Sequence, residues 1–255
     1  MFKMKSISYL VLVLTLFSSG IYAQDVATLI AEAKQLEAQF RDNEAMLKYL
    51  AIIKVEPNNL HALCRISELY SLLGKRQPKK DEQKTYFKAG KKFAQQALAV
   101  DANSPDANFA MALAMGRTAI ISSGEEKIKA VKEIKTYAEK CLQYDPKNYK
   151  AMHILGRWHY EVSNLSSLER WIVKVTYGSL PPASIKDAIN YYEKSRQIKP
   201  DLLVNYLELA KIHHHEDDDK KAVEYLKMLL KIPNNLADDP TVKAEATNLL
   251  KKWED

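Results

Sequence analysis

Glycine is scarce in this chain: 7 of 255 residues, well under half of what an ordinary composition of about 7% supplies. That scarcity excludes a fold built on tight β-turns and a Gly-rich loop cradling a phosphate, and neither GxGxxG nor GxxxxGKS/T occurs. Cysteine is scarcer still. Cys64 and Cys141 are the only two and form no CxxC, so there is no disulfide framework and no zinc site made of cysteine alone. Both fall where a helix wants a small apolar side chain, which predicts buried free thiols. Sustained period-2 alternation is missing, and with it the signal for strands. No nucleophile elbow, HExxH or Cys–His signature appears, so the reading is a non-enzyme with no catalytic residue, no metal and no cofactor.

What is present begins with residues 1–23, MFKMKSISYLVLVLTLFSSGIYA. Lys3 and Lys5 precede a run of eleven from Ile7 to Phe17, and Ile21-Tyr22-Ala23 forms an A-x-A-like site before Gln24. Eleven helical residues span about 16 Å, short of a roughly 30 Å hydrocarbon core. The expectation is a signal peptide over 1–23, cleaved after Ala23, and a mature chain in the periplasm or secreted. Membrane contact is then only transient, during export.

From Val26 to Trp253 the apolar spacing is helical. Breaks recur at Glu56-Pro57-Asn58, Asp101-Ala102-Asn103, Asp145-Pro146-Lys147-Asn148, Lys199-Pro200-Asp201 and Ile232-Pro233-Asn234, at intervals of 45, 44, 54 and 33 residues. Between the breaks a pattern repeats. Met152, Leu155-Gly156 and His159 are followed by Ala188, Tyr192, Ser195 and Pro200; Tyr206, Leu209-Ala210 by Ala222, Leu226, Leu229 and Pro233; Leu63, Ile66-Ser67, Tyr70 by Gly90, Ala94, Ala97. Ala45, Tyr49, Ile52 and Pro57 fit a second helix, while Met111-Ala112 and Met115 are followed by Glu133 where a small residue is wanted. Small residues at the crossings let two helices approach to about 8–10 Å, and proline ends each helix. The pattern resembles the tetratricopeptide (TPR) repeat. The predicted fold is therefore all-α: a TPR-like solenoid over 24–255, of about five helical hairpins with inserted segments and a C-terminal capping helix from Asp238 to Trp253.

Two insertions account for the long intervals. Residues 75–92 hold eight basic side chains, Lys75, Arg76, Lys79, Lys80, Lys84, Lys88, Lys91 and Lys92, against Asp81 and Glu82. This reads as a solvated loop and helix face, or as a basic patch for an acidic partner or anionic surface. Aromatic interleaving is lacking, so nucleic acid is not expected. In the second insertion, Ser166 and Glu169 spell a capping box, Gly178-Ser-Leu-Pro181-Pro182 a stop, and Leu168, Trp171, Ile172 and Val175 one helical face. That face is expected to pack on the solenoid and bury Trp171. Leu155-Gly156-Arg157-Trp158, Tyr160, Val162-Ser163, Leu165-Ser166, Leu168-Glu169, Leu180-Pro181, Ser184 and Asp187-Ala188 are similar to the regulator of microtubule dynamics family. The resemblance implies a TPR-like helical domain, association with microtubules and organelle surfaces, and no catalytic activity; tubulin is a partner only if the chain is cytosolic.

The TPR resemblance also implies a concave groove lined by first helices of the hairpins, here Asp106, Phe109, Leu113, Arg117, Lys150, His153, Arg157, Tyr160, Val204, Leu207, Lys211 and His214. Arg117, Lys150, Arg157 and Lys211 would make its floor basic, with Phe109 and Tyr160 as apolar anchors, suited to an acidic peptide or a C-terminal carboxylate. A small apolar or lipid ligand among Met111, Leu113, Met115, Trp158 and Trp171 is the alternative. His213-His214-His215 followed by Glu216 and three aspartates reads as a turn in which Asp218 or Asp219 caps the next helix; consecutive histidines diverge on a helix and make a poor metal set.

Overall fold

In the computed structural model, residues 25–254 are described; the signal peptide expected over 1–23 and its expected cleavage after Ala23 lie outside them. The described residues form helices α1 (25–38), α2 (Asp42–Val55), α3 (Leu60–Lys75), α4 (Lys80–Val100), α5 (Pro105–Ile121), α6 (Gly124–Tyr144), α7 (Tyr149–Ser163), α8 (Ser167–Tyr177), α9 (Ile185–Ile198), α10 (Leu203–His215), α11 (Asp219–Lys231) and α12 (Asp239–Trp253), with no strand. Neighbours in sequence pack as hairpins, α3 with α4, α5 with α6, α7 with α9 and α10 with α11.

The breaks work through one recurring turn. Asn59 and Asn148 cap α3 and α7 by accepting from the amides of Ala62 and Ala151 at 3.0 Å, while their own amide groups donate to Glu56 and Asp145. Ser104 caps α5 and Asp218 caps α11 in the same way, as expected for the turn after the three histidines. The core is a string of clusters, each shared by adjacent hairpins: Tyr49, Ile52, Ile66 and Leu69; then Leu63, Ala94, Met111 and Met115; then Tyr192, Leu209, Leu226 and Val242. This is the nearest-neighbour architecture of a solenoid. Val242 and Ala246 place α12 over α10 and α11 as the expected cap. Cys64 and Cys141 are buried and free, and burial pushes both thiols up to about 12.

Two expectations need correction. The basic segment is not a loop between helices: from Lys80 it is the first part of α4, which runs 21 residues against 14 for α2. The third hairpin is long for the same reason, because α6 also has 21 residues. Its small crossing positions are Ala130, Ala138 and Cys141, not the position of Glu133.

The second correction concerns α8. Its capping box forms as expected, and Gly178 at φ +75° ends it. Yet no residue of α8 is buried, and Trp171 is 61% exposed. The helix is held by polar bonds instead: Arg170 donates to the carbonyls of Ser163 and Leu165, and Lys132 of α6 to that of Tyr177. Its apolar stripe faces outward: Leu168, Trp171, Ile172 and Val175 are all exposed, and among the described residues no helix covers them. Trp171→Ala should therefore leave the thermal midpoint of the protein nearly unchanged, within about 0.5 kcal/mol.

Candidate functional site

Along the first helices of the hairpins, which the TPR resemblance assigns to the groove, charge is distributed unevenly. Glu37 of α1, Arg65 and Glu68 of α3 and Lys150 of α7 form one chain of ion pairs: Arg65–Glu37 at 2.6 Å, Arg65–Glu68, and Lys150–Glu68 at 3.0 Å. Burial alone would raise the Glu68 carboxyl, but Lys150 and Arg65 hold it below the usual carboxylate range. Arg65 and Lys150 are held above their ordinary values by the same carboxylates, against the opposing effect of burial. Lys150 also lies over the Phe109 ring, 5.1 Å from its centroid. None of the acids in this chain was legible as a site residue. The Arg65–Glu68 spacing of three is the only trace of it in the sequence.

The floor is thus less basic than the sequence implies. Lys150 is neutralised by Glu68, and Lys211 by Glu245 at 2.8 Å, with Glu208 at 3.8 Å. Phe109 and Leu207 are buried among core residues rather than offered as anchors. His153 meets the buried Asn205 carbonyl at 2.7 Å, Asn205 donates to Ser195, and Ser195 to the carbonyl of Tyr149, a network that ties α7, α9 and α10. Burial holds His153 below its ordinary pKa, so it is neutral and donates through Nδ1. Tyr160 is half-buried, edge-on to His215, and His214 stacks on Trp253 at 4.1 Å.

Two groove arginines remain. Arg157 is 56% exposed, with Glu161 at 3.7 Å. Arg117 is partly buried, lies over the Phe87 ring at 5.6 Å, and its enclosed Nε has no acceptor among the described residues. Burial, then the charge of Arg157, lowers its pKa to about 10, only partly opposed by Asp238.

Beside it the two ends of the solenoid meet. Arg76, after α3, donates to Asp42 of α2 at 2.6 Å and to Asp238, before α12, at 2.9 Å; Lys75 lies 3.5 Å from Asp238. Lys75 and Arg76 are therefore a clasp and not part of a free patch. Lys79 pairs with Glu82. Lys80, Lys84, Lys88 and Lys92 project outward at four-residue intervals on α4, with no ion pair among the described residues.

The residues suggested for an apolar ligand do not share a cavity. Met111, Met115 and Trp158 are buried in the helix packing, Trp158 donating to the carbonyl of Val131 at 2.7 Å, while Trp171 lies outside. The histidine run diverges: His213 stacks on Tyr225, His214 on Trp253, and His215 turns toward Tyr160. A shallow pocket of about 340 Å³ between α6, α7 and α9 is lined by Lys135, His159, Ser184, Asp187 and Tyr191. There the Ser184 hydroxyl donates to Asp187 and not to His159, so the three make no nucleophilic relay.

The family profile described as "Regulator of microtubule dynamics protein 1-3" matches residues 29–254. Regulator of microtubule dynamics protein 1 of Caenorhabditis elegans is 30% identical over 128 residues, covering 50% of this chain and 57% of the relative. Protein 3 of Bos taurus is 24% identical over 229 residues, 89% of this chain and 49% of the relative. The chain spans about half the length of the curated relatives it matches. Among solved structures, a thermophilic TPR protein of Thermus thermophilus superposes with a TM-score of 0.65 at 12% identity, covering 88% of this chain and 99% of that one. Pseudomonas aeruginosa pilF gives 0.55 at 13%, covering 91% and 92%. With a TPR-like solenoid established and the family profile matched over nearly all of the described residues, the chain belongs to the regulator of microtubule dynamics protein 1–3 family.

Proposed function

We propose that this protein is a non-enzymatic interaction scaffold whose acidic partner docks on the α4 lysine face. A TPR-like solenoid displays long helical surfaces and no chemistry of its own, which suits protein or peptide partners. The observation that carries the reading is the contrast in charge matching. Groove lysines are consumed by internal ion pairs, whereas Lys80, Lys84, Lys88 and Lys92 form an unneutralised stripe. Such a stripe attracts acidic chains at long range and does so less well as salt rises. The relatives' names make polymerised tubulin the first partner to test.

The expected result is that wild-type protein co-sediments with microtubules at low salt, and that Lys84→Glu/Lys88→Glu/Lys92→Glu weakens this at least about tenfold. Unchanged sedimentation of the triple variant would refute the α4 face. Loss of capture by Arg157→Glu/Lys211→Glu alone would place the partner in the groove instead.

Compartment belongs to the same proposal. Lys3, Lys5, the run from Ile7 to Phe17 and Ala23 support an exported chain beginning at Gln24, in the periplasm or outside the cell. N-terminal sequencing of the native protein checks this. Gln24 at the terminus makes the acidic partner an exported one, and Met1 on a cytosolic protein brings tubulin within reach.

A further inference from the structure

We propose that α8 is a self-association surface, on which two copies of this chain pair antiparallel along their outward apolar stripes. A helix of eleven residues is marginal in water by itself, and burial of one face is what normally secures it. α8 buries none. Val173 and Tyr177 turn toward the body of the protein and are half-buried, while Leu168, Trp171, Ile172 and Val175 are 44–65% exposed. No other helix among the described residues exposes more than two large apolar side chains. The four amount to roughly 400 Å² of contiguous apolar surface, the size at which a patch on a soluble protein marks a contact.

A second copy covers this stripe end to end. A two-fold axis between Trp171 and Ile172 lays Leu168 on Val175 of the second copy and Trp171 beside Ile172 of the second copy, so bulky and slender side chains alternate along the seam. Parallel pairing would put Trp171 on Trp171 and Val175 on Val175, a wide layer beside a narrow one. At about 3.6 residues per turn, Lys174 flanks the Trp171 edge of the stripe, and Glu169 and Thr176 flank the Ile172 edge. Antiparallel two-fold pairing brings like edges together. It sets Lys174 over the Trp171 ring of the second copy, and Glu169 beside the Thr176 hydroxyl of the second copy. All three groups are exposed; Lys174 has no ion pair among the described residues, and the capping box uses only Oε2 of Glu169. Arg170, bonded to the carbonyls of Ser163 and Leu165, does not compete.

Pairing of the stripes hides about 800 Å² in total, below the roughly 1,200–2,000 Å² of a stable complex, so the dimer is weak, with a dissociation constant on the order of tens of micromolar. Sedimentation velocity of the purified protein over a wide concentration range should show monomer passing to dimer. Trp171→Ala/Ile172→Ser should weaken this at least about tenfold while leaving helicity and monomer stability unchanged, because neither side chain is buried in the monomer. Raised salt should not weaken the dimer, and the α4 triple variant should dimerise as wild type, so the outcome is separate from that of the α4 face.

Orientation is read by mild oxidation of two single variants, Leu168→Cys and Val175→Cys; native Cys64 and Cys141 are buried and do not interfere. A disulfide-linked dimer should form when the two variants are mixed, and not with either alone. A wild type that stays monomeric at several hundred micromolar, a dimer that survives Trp171→Ala/Ile172→Ser, or disulfides formed by each variant alone overturns the proposal. So does binding of a strictly monomeric protein to phosphatidylserine vesicles through Trp171, which would give the stripe to a bilayer instead.

Discussion

Glu68→Gln is expected to destabilise the protein by about 2–4 kcal/mol, near the lower end of what breaking a buried ion pair costs because Lys150 and Arg65 keep some contact with water. The carboxylate stands between two cations from different hairpins, and removing it strands Lys150, which among the described residues then has only the Phe109 ring, and leaves Arg65 with Glu37 alone. For a chain of this size that loss amounts to roughly 5–15 °C in thermal midpoint. Adding Lys150→Met should recover part of it, since an apolar side chain over Phe109 has no charge to strand.

The pH dependence gives an independent check with a definite sign. The Glu68 carboxyl is held below its ordinary value of 4.5 in the folded state. Its contribution is fully present above that value and is lost as pH falls through the lower, folded one. Urea midpoints of wild type and Glu68→Gln should therefore differ most at neutral pH and converge in acid. A constant gap at all pH values would show that Glu68 acts by shape and not by charge.

The second large effect is at Gly156. A Cβ there would lie 2.9 Å from Cγ of Tyr192 and 3.0 Å from both Cδ atoms, so the ring rests directly on the α7 backbone. Tyr192 is fully buried against α7. Gly156→Val should cost about 3 kcal/mol or more, from overpacking that spreads into α9. Gly156→Ala gains about 1 kcal/mol of helix propensity and still loses overall. Tyr192→Leu in the Gly156→Ala background should cost less than it does in the wild type, a coupling of about 1 kcal/mol or more read from a double-mutant cycle. Additive effects would mean the close approach is not what requires glycine.

Gly156 was legible beforehand, as the glycine of Leu155-Gly156 on the first helix of the hairpin whose second helix carries Tyr192, because a repeat reports its own contacts each time it recurs. The same holds for the aspartate cap of α11, the closing prolines, the buried cysteines and the capping helix, whereas the Asn59 and Asn148 caps became visible only in the structure. The α8 capping box was legible as well, since all its partners lie within three residues. The fate of the α8 apolar face was not. Spacing places Leu168, Trp171, Ile172 and Val175 on one side of a helix, but whether another helix covers that side depends on where α6 and α7 leave it.

Local order and nearest-neighbour packing were therefore determined by the sequence alone: an all-helical chain, its hairpins, their ends and the residues that pack between them. The tertiary structure decided which charges are free. Lys150 and Lys211 look like Arg117 and Arg157 in a list of groove positions, yet Glu68 and Glu245 match the first two, from 82 and 34 residues away. Arg76 looks like one more member of a basic run until Asp238 meets it from 162 residues away. Helix formation and capping act over a few residues and leave a periodic trace. Charge pairing acts through space, and only the curvature of the whole solenoid brings those carboxylates to some cations and keeps them from Arg117.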